Sequence, residues 1–145
     1  GGVEIHADGG TVPIVGVFNG CRYTDPVSGK ETFSNYYPAS TAAADIEAFI
    51  IDDPAVIFEI QAAIAFPIAD LLGNFDVVYT TAGSTVTGIS GAELQVTDGG
   101  TSTGLPLKAI DISRDPENSD VASAHTNVQV VIVNHVFGLK GVGLA

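Results

Sequence analysis

The chain has no methionine, no tryptophan, one cysteine and only five lysines and arginines in 145 residues. Each shortage closes a route. A single cysteine cannot form an intramolecular disulfide, so the fold does not rest on oxidation. Without tryptophan, the aromatic platform usual in carbohydrate-binding β modules has to be made some other way or not at all. Five cations against seventeen acids leave a net charge of −12, with the acids spread from Glu4 to Asp120. Such a chain cannot assemble the concentrated positive field that binds phosphates, which excludes nucleic acid as a ligand. Any partner met through charge should be basic.

Long apolar runs are missing too. The longest candidate, residues 56–72, is interrupted by Glu59, Gln61, Pro67 and Asp70. It falls short of the ~18–20 residues that span a bilayer as a helix, so the sequence reads as a soluble protein without a membrane partner. Residues 1–16 are poor in positive charge and broken by Asp8, Gly9, Gly10 and Pro13, and do not read as a signal peptide. Charged residues make up 15% of the chain against roughly 25% in an average soluble protein, while the mean hydropathy is +0.34. The outside is therefore rich in uncharged Ser, Thr and Asn, covered in part by partner subunits, or both.

What is present is a succession of short Val-, Ile-, Phe-, Tyr- and Thr-rich runs separated by Gly, Pro, Asp, Asn and Ser, the punctuation of strands and turns. Residues 12–18 and 21–25 flank Asn19-Gly20, a dipeptide suited to a two-residue hairpin turn. Asp25-Pro26 and Ser28-Gly29 mark a second hairpin into residues 30–34. Residues 46–52 and 56–62, joined by Asp53-Pro54, read as a central hairpin, with Val56, Phe58 and Ile60 on its apolar face. Pro67, Ile68, Leu71 and Leu72, ended by Gly73-Asn74, predict about two turns of helix. Residues 76–80, 92–96 and 106–113 follow as strands, and residues 126–137, apolar on both faces, as a central one. The sequence predicts a mainly β, single-domain antiparallel sandwich or barrel over residues 12–145, with at most one or two short helices and a flexible N-terminal arm over residues 1–11. The tetrapeptide DGGT at 8–11 and 98–101 reads as a repeated turn signal rather than a repeated unit.

Catalytic patterns are not found. Cys21 lacks a nucleophile signature and reads as a small buried hydrophobe. His6, His125 and His135 have no metal-ligand spacing. Asp111, Asp115, Glu117 and Asp120 could supply calcium ligands, but they lack the glycine and terminal glutamate of a helix-loop-helix site and read as a solvated turn. No Gly-x-Ser-x-Gly elbow or phosphate-binding loop appears, so the expectation is a protein that is not an enzyme and needs no cofactor.

Three segments carry a resemblance: GVFNGCRYTDPVSGKETFSNYYPAS, FIIDDPAVIFEIQA and LPLKAIDISRDPENSDVASAHTNVQVVIVNHVF. In order and local wording they resemble the cement or decoration proteins of tailed-bacteriophage capsids, over about two-thirds of the chain. The resemblance implies a virion protein, made in the host cytoplasm, that binds the outer surface of the major capsid protein shell and bridges capsomers. It also implies self-association, with a homotrimer favoured and a dimer possible. On that reading the interface residues are Glu4, His6, Arg22, Tyr36, Tyr37 and His135. Tyr36 and Tyr37 could equally cap the protein's own core, and Tyr23 and Phe33 are expected inside it. The alternative is a carbohydrate- or calcium-binding β-sandwich module.

Overall fold

Alternation along the β-branched runs is realised, among the described residues, as eight strands in two antiparallel sheets. A computed structural model of the chain describes residues 12–101 and 104–138. The strands are β1 (Val17–Thr24), β2 (Glu31–Ser34), β3 (Glu47–Ile51), β4 (Phe58–Gln61), β5 (Asn74–Val78), β6 (Glu93–Gly100), β7 (Leu107–Ile112) and β8 (Asn127–Ile132). One sheet has three strands in the order β2-β1-β3, and the other has five in the order β4-β8-β7-β5-β6. The class is mainly β in one small domain, consistent with a β-sandwich.

The five-stranded sheet carries the main core. Val128, Val130 and Ile132 of β8 are buried and lie in register with Ile60 and Phe58 of β4 on one side and Ile112, Ala109 and Leu107 of β7 on the other. Phe75, Val77, Leu94 and Val96 extend the same apolar face across β5 and β6, and Phe66 covers it, its ring 5.4 Å from that of Phe75. The outer strands approach each other through a parallel bridge between Ala62 and Leu94, so the sheet curls around these side chains. β8 is an interior strand between β4 and β7, with Val128, Val130 and Ile132 buried and the residues between them half-buried.

Three local expectations are corrected. Asn19-Gly20 does not turn the chain: it lies within β1, where the register with β3 shifts between Phe18 and Cys21. Gly20 has φ +114°, so the positive φ that the dipeptide signals is used in a bulge instead of a hairpin. Residues 46–52 and 56–62 are not partners either. β3 pairs with β1 and β4 with β8, and Asp53-Pro54 carries the chain from one sheet to the other, with the Asp53 carboxylate accepting the Ala55 N–H. The two-turn helix reduces to a single 3-10 turn over Ile68–Asp70, because Leu72 takes φ +68° and its N–H bonds to Ala109, drawing the chain into the sheet at β5.

The hairpin from β1 to β2 forms as expected. Asp25 organises it: its carboxylate accepts the Val27 N–H and the Ser28 hydroxyl, while Gly29 turns at φ +67°.

Candidate interaction surface

Register fixes what the three-stranded sheet presents on each face. Cys21 opposes Ser34 and Ala48, and Tyr23 opposes Thr32, so these side chains share one face. Cys21 and Tyr23 are buried there, which pushes the thiol and the phenol above their ordinary pKa ranges by desolvation. Over them lies the segment after β2. The Tyr37 ring meets the Tyr23 ring edge-on at 5.2 Å, the Tyr37 hydroxyl donates to the Thr41 carbonyl, and the Cys21 thiol faces the Tyr36 carbonyl. This is the inner face.

The outer face holds Val17, Arg22, Phe33, Phe49 and Ile51, with Glu31 and Glu47 beside the arginine. Phe33 is 67% exposed and Phe49 43%, and Val17 and Ile51 are also exposed. These four are apolar neighbours on one sheet face, an arrangement that marks interaction sites. Arg22 is clamped between Glu31 and Glu47, with its Nη1 3.1 Å from a Glu47 oxygen. The hydrogen bond and charge of Glu31, then the charge of Glu47, raise the guanidinium pKa above its ordinary value.

The bulge shapes this face. Between Phe33 and Phe49 lies a shallow hollow of about 310 Å³ lined by the two rings, Gly20, Cys21, Asn19, Ser34 and Asn35. A wider hollow of about 550 Å³ elsewhere is lined by Ile68, Leu71, Ile112 and Val121 together with Asp111 and Arg114.

The residues singled out from the sequence are scattered relative to this surface. Arg22 is on it. Tyr36 and Tyr37 are half-buried against the opposite face of the same sheet. His135 is 2% exposed, far from the surface position expected of an interface residue: its Nδ1 accepts the Phe137 N–H, and its Nε2 is buried without a partner. Glu4 and His6 lie outside the described residues, as does the whole of the N-terminal arm over residues 1–11. Phe33, expected in the core, is instead among the most exposed aromatic rings of the described residues. Phe49 and Ile51 were legible only as part of a run apolar on both faces, the pattern of a strand covered on both sides.

Outside this sheet, the Glu93 carboxylate is nearly buried and is met by the Thr80 and Thr81 hydroxyls and by His125 Nδ1 at 3.2 Å. Among the described residues, no group of three or more His, Cys, Asp or Glu side chains is placed to hold a metal ion. No family model matches the chain, and no match to it is found among the curated proteins or the solved structures.

Proposed function

We propose that the chain is a non-enzymatic structural protein that works by docking on a larger assembly, in the manner of the capsid cement proteins that its sequence resembles. The observation that carries this reading is the outer face of the β2-β1-β3 sheet, where Val17, Phe33, Phe49 and Ile51 stand exposed side by side in a chain whose other sheet buries its apolar face. The partner is the major capsid protein of a tailed phage, met on the outer surface of the shell. Copies of the chain associate with one another, preferentially as trimers, at shell positions of matching symmetry.

Such a protein acts by mass action. It binds assembled shells and not dispersed subunits, so its binding free energy adds to the stability of the assembly. A millimolar contact is worth about 4 kcal/mol, and many such contacts on one closed shell must be lost before it opens. No cofactor takes part in this mode of action.

The test is co-sedimentation with tailed-phage shells stripped of their decoration protein, with light scattering on the chain alone. The expected result is an oligomer that pellets with the shells and raises their melting temperature. A chain that stays in the supernatant and leaves shell melting unchanged overturns the reading.

A further inference from the structure

The outer face of the small sheet has a shallow hollow between two exposed aromatic rings. Phe33 and Phe49 project from β2 and β3 on either side of β1, where Gly20 of the bulge lies so close to β2 that a Cβ there would meet the Ser34 carbonyl at 2.9 Å. The hollow of about 310 Å³ is floored by Gly20 and Cys21 and flanked by two rings. It has room for one large apolar side chain, and anchors of this kind, packed in a pocket near the centre of a contact, supply most of an interface's free energy.

The charge around the hollow decides what surrounds that anchor. Next to Phe33 on this face, Arg22 is flanked by Glu31 and Glu47, and the Asp45 carboxyl is near enough to feel its charge, so three acids meet one base. Arg22 is already held by Glu31 and Glu47. A second copy laid on this face would bring the same acidic cluster around Arg22 against itself, and like charges across a contact oppose binding. A basic partner gains from the Glu31 and Glu47 carboxylates on this face, and its encounter is steered by the net charge of −12.

The geometry points to a specific occupant for this face: an extended segment of a basic protein, carrying one large apolar residue that enters the hollow between Phe33 and Phe49 with lysines or arginines on either side. The proposal rests on the docking function proposed above and assigns that contact to this sheet, leaving self-association to other surfaces.

Because the chain has no tryptophan, a tryptophan on a probe peptide reports its own burial without interference. The probe is a short synthetic peptide with a central tryptophan flanked by alternating lysine and valine. Two companions replace the lysines by glutamate or the tryptophan by alanine. The expected result is saturable binding with a blue shift of the tryptophan emission, and binding at least roughly tenfold weaker for the glutamate and alanine peptides. The blue shift and the discrimination disappear in Phe33→Ser, an exposed position whose replacement leaves thermal unfolding unchanged. Equal binding of lysine and glutamate peptides overturns the proposal, as does a blue shift that survives Phe33→Ser. A concentration-dependent dimer that Phe33→Ser dissociates also overturns it, in favour of a second copy as occupant. Shell co-sedimentation separates this inference from the function beneath it. Pelleting that survives the Phe33→Ser/Phe49→Ser double variant removes the site and keeps the role, whereas peptide binding without pelleting keeps the site and removes the role.

Discussion

In the five-stranded sheet, Val128, Val130 and Ile132 turn inward to meet Phe75, Leu94 and Phe66, and Gln129 between them turns outward. In the three-stranded sheet, Cys21 and Tyr23 turn inward under Tyr36 and Tyr37, yet the outward positions hold Phe33, Phe49, Val17 and Ile51. Both sheets are amphipathic by register, but only the first has its apolar residues matched to its own covered face. Folding accounts for the core of one sheet and leaves the outer face of the other unexplained by stability. That excess is what a partner would use.

Substitution at equivalent chemistry on the two sheets should break or sharpen this contrast most strongly. Phe75 is 1% exposed in contact with Phe66, so Phe75→Ala should cost about 3–5 kcal/mol, the range for deleting a buried phenylalanine. Phe33→Ala should change folding stability by no more than about 0.5 kcal/mol, because its ring is already largely in water. Urea unfolding of the two variants checks both values. A cost for Phe33→Ala near that of Phe75→Ala would mean that the outer face is held by the chain itself, and the docking surface would be lost.

The second prediction concerns what joins the sheets. Asn35, just after β2, donates to the Thr87 carbonyl in the 81–91 loop at 2.7 Å, and Gly88 of that loop has φ +71°. A Cβ on Gly88 would come within 2.3 Å of the Asn35 amide. Gly88→Ala therefore combines a disfavoured backbone with a clash, and should destabilise by about 1–2 kcal/mol. If the two sheets fold as one unit, tyrosine fluorescence of a Tyr79→Phe background, whose remaining rings Tyr23, Tyr36 and Tyr37 all lie at the small sheet, and far-UV circular dichroism should still report one transition. If this tie is what couples them, the two probes should separate.

Acid should affect the sheets through different turns. Asp25 and Asp45 serve the small sheet and Asp120 the turn before β8. All three carboxyls are held below the usual range: Asp25 chiefly by the Val27 N–H, Asp45 by the Thr24 hydroxyl, and Asp120 by the Ala122 N–H. A depressed folded-state pKa contributes stability that is complete above the unfolded value of about 3.9 and is lost as pH falls through the lower folded value. Melting temperature should thus be flat above about pH 5 with respect to these groups and fall below about pH 4. Asp45→Asn should lower it at neutral pH and flatten the acid limb. An unchanged limb would show that the Thr24 contact does not persist in solution.

How much of this was legible follows the same division. The five-stranded sheet could be read because alternation in residues 126–137 and the turn signals on either side act locally, and burial then agrees with pattern. The small sheet could not. Asn19-Gly20 states only that a positive φ is needed, and whether that φ closes a hairpin or opens a bulge depends on β3, which arrives more than twenty residues later. Adjacency misled at Asp53-Pro54, where neighbouring strands in sequence belong to different sheets. Phe33 was placed inside because aromatic rings usually are, and nothing in its neighbours reveals that Arg22 and two glutamates share its face. Tyr36 and Tyr37 were left between two roles by the sequence, and their contacts with Cys21 and Tyr23 belong to the capping one.

The smallest effect expected lies at the Arg22 clamp, and it separates folding from recognition most cleanly. Both glutamates are more than half exposed, at 54% and 63% of the side chain, so water and salt screen the pairing. Glu47→Gln should change stability by at most about 1 kcal/mol, and the difference should shrink in high salt. The same change removes a carboxylate from the outer face and leaves Arg22 with one partner, so the face becomes less negative without losing an apolar contact. Salt-dependent melting reads the first consequence and affinity for the lysine-flanked peptide the second. A variant that keeps its melting temperature and binds the basic peptide more weakly shows that the charge on this sheet is directed outward. One that melts early and binds unchanged shows that the clamp serves only the sheet.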